Sequence, residues 1–199
     1  MRKLLAAALP IVLLNAAAAR ADITSAYTDF DADKACTVFS KAADGDGDWA
    51  DMVCDGWRGY PVLLYYDDAR ESLFYGFPPA GDLAPAWESF DAFNASGPKI
   101  EWRLDDAGGA PLPFAAIHRR FVSVADDADR KVEVLVVSKV AQPAERDGCV
   151  VGLVAATGNP DANAQARRIA DRARSFVCGT DERAVAKGSV EVPSFTRAE

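Results

Sequence analysis

The four cysteines constrain this chain more than any other feature, and the last two frame its clearest structural signal. Cys149 opens the run Cys149–Thr157 (CVVGLVAAT), which is short, rich in β-branched residues and bounded by Asp147-Gly148 and Gly158-Asn159-Pro160, the pattern of a buried strand. A long helix is expected to follow over Pro160–Val177. Asn159 can cap it, Pro160 suits its first position, Asp161 complements the positive end of its dipole, and Arg167, Arg168, Arg172 and Arg174 come later. Ala162, Ala166, Ile169, Ala173 and Phe176 recur at steps of four and three, an apolar stripe for a sheet. A strand from Cys149 to Ala156 advances roughly 24 Å, and a helix from Pro160 to Val177 returns roughly 25 Å. Cys149 and Cys178 then lie level, and a disulfide closing a loop of this size contributes about 3 to 4 kcal/mol in the chain-entropy model.

An even cysteine count fits an oxidising compartment if the chain is exported, and the amino terminus reads as an export signal. Arg2 and Lys3 precede the apolar run Leu4–Leu14, and Ala19-Arg20-Ala21 has the small-x-small form of a secretory cleavage site. Residues 1–21 are therefore expected to be a signal peptide cleaved after Ala21, which places the mature chain in the periplasm. Residues 22–178 read as a single α+β domain, and 179–199, polar and without apolar period, as a disordered tail. No stretch approaches the roughly 20 apolar residues of a membrane-spanning helix. The net charge of −8 becomes more negative once Arg2, Lys3 and Arg20 leave, which argues against nucleic acid and anionic membrane surfaces as partners.

Three cysteine pairings are formally open. Cys36 with Cys54 and Cys149 with Cys178 is favoured, because the register that sets Cys36 opposite Cys54 also sets Val38 opposite Met52 on the same face. The spacings match no CxxC, haem-attachment or zinc pattern, and no cofactor is expected. Between the cysteines the chain reads as a hairpin (Ala35–Ser40, Ala50–Asp55), then Val62–Tyr66 and Ser72–Phe77, then a short helix through Leu83, Trp87, Phe90 and Asn94. The second half follows the same order with Ile100–Leu104, Phe114–Val122, Val132–Val140, Val150–Ala156 and the long helix. The expected fold is α+β: a mainly antiparallel sheet of about eight strands, ordered as two ββββα halves and covered by the C-terminal helix.

Chemical motifs are few. No nucleophile elbow, phosphate-binding loop or dinucleotide fingerprint occurs. His118 is the only histidine, which rules out a multi-histidine metal site. It reads as a half-exposed structural residue, beside Arg119 and Arg120. Asp44, Asp46 and Asp48 alternate as carboxylates do at the start of a calcium loop, but Trp49 stands where such a loop has glycine and Asp55 where it has glutamate. A solvated turn is the plainer reading, and no metal is expected. The pairs Asp67-Asp68, Asp105-Asp106 and Asp126-Asp127 read as turn chemistry. What remains is the set Trp49, Trp57, Arg58, Tyr60, Tyr65 and Tyr66, residue types enriched at recognition hot spots, with Trp57, Arg58 and Tyr60 as the candidate binding residues.

The stretches YTDFDADKACTVFS (27–40), CDGWRGYPV (54–62), KIEWRL (99–104) and NPDANAQARRIADRARSFVC (159–178) together resemble uncharacterised exported proteins of alphaproteobacteria. The resemblance implies a periplasmic location and a common fold, and carries no activity, ligand or catalytic residue. The function expected is binding without catalysis, with an envelope protein or a glycan as partner. A small envelope hydrolase working through carboxylates, and a structural or stress-related envelope protein, are the alternatives.

Overall fold

The computed structural model describes residues 23–198 apart from 84–85, 107–108 and 125–126, with the backbone alone at 128–129. The expected signal peptide and its cleavage after Ala21 lie outside the described residues. In chain order the elements are β1 (Ile23–Asp29), the helical turn α1 (Ala32–Ala35), β2 (Cys36–Lys41), β3 (Trp49–Cys54), β4 (Val62–Asp67), β5 (Arg70–Tyr75) and β6 (Trp87–Phe90). They continue with β7 (Asn94–Asp105), β8 (Leu112–Val124), β9 (Asp127–Lys139), β10 (Val150–Ala155), the helix α2 (Ala162–Ala170), β11 (Ala184–Ala186) and β12 (Phe195–Ala198).

These strands make three sheets among the described residues: β1-β7-β8-β9-β10-β11, the meander β2-β3-β4-β5, and the ribbon β12-β6. The first two lie face to face. Val62, Leu64, Leu73 and Tyr75 of the meander pack against Ile100, Trp102, Leu104 and Ala116 of the six-stranded sheet. Trp102, fully buried between them, contributes about 5 kcal/mol if some 200 Å² leaves water. On the other side of the six-stranded sheet, Ala162, Ala166 and Ala170 of α2 meet Ala115, Ile117, Leu135, Val137 and Val151. The small alanines let the helix sit close, and Gly152 completes the fit: a Cβ there would stand 2.6 Å from Ile169 Cγ2. The disulfides are Cys36–Cys54, across the β2–β3 pair, and Cys149–Cys178, which ties the entry to β10 to the segment after α2.

The α+β class is corrected by these elements, because the fold is mainly β and no long C-terminal helix covers it. Pro160 lies in a turn organised by Asn159, whose Nδ2 donates to Ala155 O (2.8 Å) and whose Oδ1 accepts from the Asp161 N–H (3.1 Å). The α-helix runs only from Ala162 to Ala170 and gives way to a 3₁₀ turn at Ala173–Ser175, with Phe176 extended beyond it. A step of three, from Ala170 to Ala173, suits a 3₁₀ turn as well as an α-helix, so Ala173 keeps the buried stripe going after the helix has ended.

The short helix expected around Leu83–Asn94 is replaced by β6, so the two ββββα halves are absent. The tail is also corrected: β11 joins β10 in parallel and β12 pairs with β6, while Val192 and Phe195 pack on Phe90, Val122, Val134 and Leu153. Main-chain hydrogen bonds to existing strand edges hold such short strands without any apolar period of their own.

Candidate functional site

Trp57 and Tyr60 are each 9% exposed and belong to the core shared by the two large sheets. The Tyr60 hydroxyl donates to Gln142 Oε1 (2.9 Å), and its ring meets Phe77 edge to face at 5.3 Å. Arg58 alone of the three is exposed, at a positive φ of 47°, with its guanidinium 4.8 Å from the Trp57 ring. Asp44, Asp46 and Asp48 stand exposed on the loop between β2 and β3, and no group of three or more potential metal-binding side chains occurs among the described residues. Asp48 instead accepts from the Tyr66 hydroxyl (3.0 Å).

His118 corrects its expected half-exposure, at 1% exposed. Gly97 O can only accept, so Nε2 carries the proton and donates to it (2.7 Å), leaving Nδ1 to accept from the Tyr75 hydroxyl (2.8 Å). Burial pushes the imidazole down to about 3, against the pull of the Gly97 carbonyl and with the neighbouring Arg120 charge adding to it. It is a neutral core residue. Arg120, also buried, pairs with Glu71 (3.2 Å) and donates to Asn94 Oδ1, while Arg119 pairs with Glu133.

The remaining aromatics of the sequence set come together elsewhere. Register pairs Trp49 with Asp67 and Asp51 with Tyr65, and alternation then places all four on the outer face of the meander, away from the core-facing Met52 and Leu64. Strand β5 adds Arg70 opposite Asp67. Trp87 of β6 packs on this face against Leu63, Tyr65 and Phe74, with the Arg70 guanidinium 6.0 Å from its ring. The result is a groove of about 740 Å³ lined by Trp49, Asp51, Tyr65, Asp67, Asp82 and Trp87, with Tyr66 and Arg197 at its rim.

Burial raises the Tyr65 phenol, and the charges of Asp51 and Asp82 add to the shift, so both carboxylates bear on its hydroxyl. That hydroxyl donates to Leu83 O, which fixes the ring as the floor of the groove. Burial also pushes the Asp51 carboxyl up. Asp67, more exposed, lies diagonally across from Asp51 at a Cβ separation of about 7 Å for such a pair, and pairs with Arg70 (3.7 Å). Chemically, the groove offers aromatic faces for apolar surface and carboxylate oxygens for hydroxyl or amine donors.

The aromatic set read from the sequence includes Trp49, Tyr65 and Tyr66, which line this groove, but not Trp87, Asp51 or Asp82. Trp87 was lost to the supposed helix. Asp51, a carboxylate inside a strand otherwise reading as half-buried, was the available signal. A scan against protein-family models and searches of the curated proteins and of the solved structures found no match. No helix among the described residues is long and apolar enough to cross a membrane.

Proposed function

We propose that this is an exported, periplasmic binding protein that recognises glycan chains in the groove of Trp49, Tyr65 and Trp87, without catalysis. What carries this reading is the juxtaposition of those rings with Asp51, Asp67 and Asp82 in one groove. Aromatic faces stack on the apolar faces of sugar rings, and carboxylates accept from sugar hydroxyls, so a few placed polar groups orient a ligand held by larger contacts. The acidic groove and the net charge of −8 favour uncharged or amino-bearing sugars over anionic ones. Two disulfides support export, since such bonds persist in oxidising compartments.

Retention of the protein on immobilised neutral oligosaccharides tests this. Trp87→Ala is expected to lose about tenfold in affinity or more, the loss typical of a truncated aromatic anchor. Retention of Trp87→Ala and Trp49→Ala equal to wild type would refute it.

A second reading rests on Asp51 and Asp67. A carboxyl pushed up by burial, diagonally across the strands from a second carboxylate that pairs with Arg70, resembles the acid and base pair of a glycosidase. Release of reducing ends from a bound glycan, abolished in Asp51→Asn, would establish hydrolysis in place of simple binding.

A further inference from the structure

Trp87 and Glu88 are neighbours on β6 and point to opposite faces of the ribbon. Behind Glu88 lies a second cleft, of about 530 Å³, with apolar walls that include Val150, Leu153, Val192 and Phe195. Glu88 is 8% exposed. Its Oε2 accepts from the Val150 N–H (2.8 Å), while Oε1 has no hydrogen-bond partner. Arg197 stands opposite Glu88 in the ribbon register, and Arg183 reaches in from the segment before β11. Each sets its Nη1 3.9 Å from Glu88 Oε1, within ion-pair reach and beyond hydrogen-bond distance.

Arg183 Nη1 and Arg197 Nε are likewise buried without a partner. Arg183 is held in place, with Nη2 donating to Phe195 O (3.3 Å) and the guanidinium 4.9 Å from the Phe195 ring. The other unpartnered buried atoms among the described residues, Arg120 Nε and Ser138 Oγ, belong to residues lining a cavity of about 10 Å³ that shares Glu88, Val150 and Phe195 with the cleft, room for one water at most. Folded proteins leave few buried polar atoms unpaired, and here they gather around one carboxylate at the base of one cleft.

The unpaired donors at the base of the cleft indicate what it takes. Two guanidiniums face one carboxylate. Of the other acids at the cleft, Asp181 is engaged by the Val177 N–H (2.8 Å), and Glu182 is exposed. We propose that the cleft is a second binding site, for a small apolar molecule bearing one carboxylate, which accepts from Arg183 Nη1 and Arg197 Nε while its hydrocarbon part lies against Leu153, Val192 and Phe195. Burial pushes the Glu88 carboxyl up, against the pull of the Val150 N–H and both arginines. An arriving anion favours the protonated acid further, and its O–H then donates to the ligand.

Calorimetric titration of the purified protein with octanoate, and with octanol as the uncharged counterpart, tests the proposal. Octanoate is expected to bind about tenfold more tightly than octanol, and Arg183→Gln to lose about tenfold in octanoate affinity with octanol unchanged. Octanol binding as tightly as octanoate, wild-type octanoate affinity in Arg183→Gln, or no saturable octanoate binding up to about 10 mM, would overturn it. Arg183 is the residue to change because Arg197 lines the groove as well. Asp51→Asn, confined to the groove, is expected to bind octanoate as wild type does, so the two sites stand or fall separately.

Discussion

His118 is the residue whose protonation bears most directly on stability. With a folded value of about 3 against an unfolded value of about 6.5, the unfolded chain binds the extra proton between those limits. Its contribution is therefore complete above pH 6.5 and is lost as the pH falls toward 3, by about 1.4 kcal/mol per pH unit. Glu88 and Asp51, both pushed up by burial, act in the opposite sense, so a control that removes the imidazole is needed. Urea unfolding at pH 7 and pH 5 should show the weaker fold at pH 5, with the slope reduced in His118→Gln; an unchanged slope would remove His118 as its source. The residue's neutral, buried state was not legible in the sequence. Alternation placed it with Ala116 and Arg120, but that this face is covered by a second sheet, and that Tyr75 and Gly97 meet both ring nitrogens, depends on residues far away in the chain.

At the scale of elements, α2 is fastened to the six-stranded sheet by two reciprocal forks. Arg167 of the helix grips Glu101 of β7 through Nε–Oε1 (2.6 Å) and Nη2–Oε2 (3.1 Å), and Arg103 of β7 grips Asp171, just past the helix, through Nε–Oδ1 (2.8 Å) and Nη2–Oδ2 (3.1 Å). Burial raises the Glu101 carboxyl, but hydrogen bonds from Arg167 and Ser25 and the nearby arginine charges outweigh it and hold it below its ordinary value. Arg167→Met leaves that buried carboxylate short of its main partner and is expected to cost about 2 kcal/mol, discounted from a fully buried pair because Arg167 is partly exposed. Thermal or urea unfolding measures it, and a change near zero would show that the fork contributes nothing. Gly152→Ala should cost about 1 to 3 kcal/mol by driving a Cβ into Ile169. A double-mutant cycle with Ile169→Ala should show strong coupling between the two, whereas simple additivity would place the cost elsewhere.

The stripe of Ala162, Ala166 and Ala173 was legible because its four-residue step faces the sheet in the α-helix and a three-residue step carries it from Ala170 into the 3₁₀ turn. The helix end was not, because nothing local distinguishes the two. Strands β1, β6, β11 and β12 were equally hidden, since each owes its pairing to a partner distant in sequence.

Across the whole molecule, the meander presents one face to the core and leaves the other to form the groove, while the ribbon at its side divides that groove from the Glu88 cleft. The pairing of Cys36 with Cys54 could be argued from register, because one shift of the hairpin satisfied both the thiols and Val38 against Met52. The groove could not be: its aromatics come from β3, β4 and β6, and only the folded meander brings them together. Replacing Cys149 and Cys178 by alanine should cost about 3 to 4 kcal/mol by releasing a 29-residue loop; unfolding midpoints unchanged from wild type would contradict that anchoring.

The central claim, glycan recognition through the groove, is tested most directly by oxidative footprinting of the four tryptophans with and without a panel of neutral oligosaccharides and solubilised envelope glycan. Trp49 and Trp87 line the groove, whereas Trp57 and Trp102 are buried in the core and serve as internal controls. Protection of Trp49 and Trp87 alone, saturating with glycan concentration, is the predicted result; no change at either tryptophan across the panel, or equal change at all four, would contradict it.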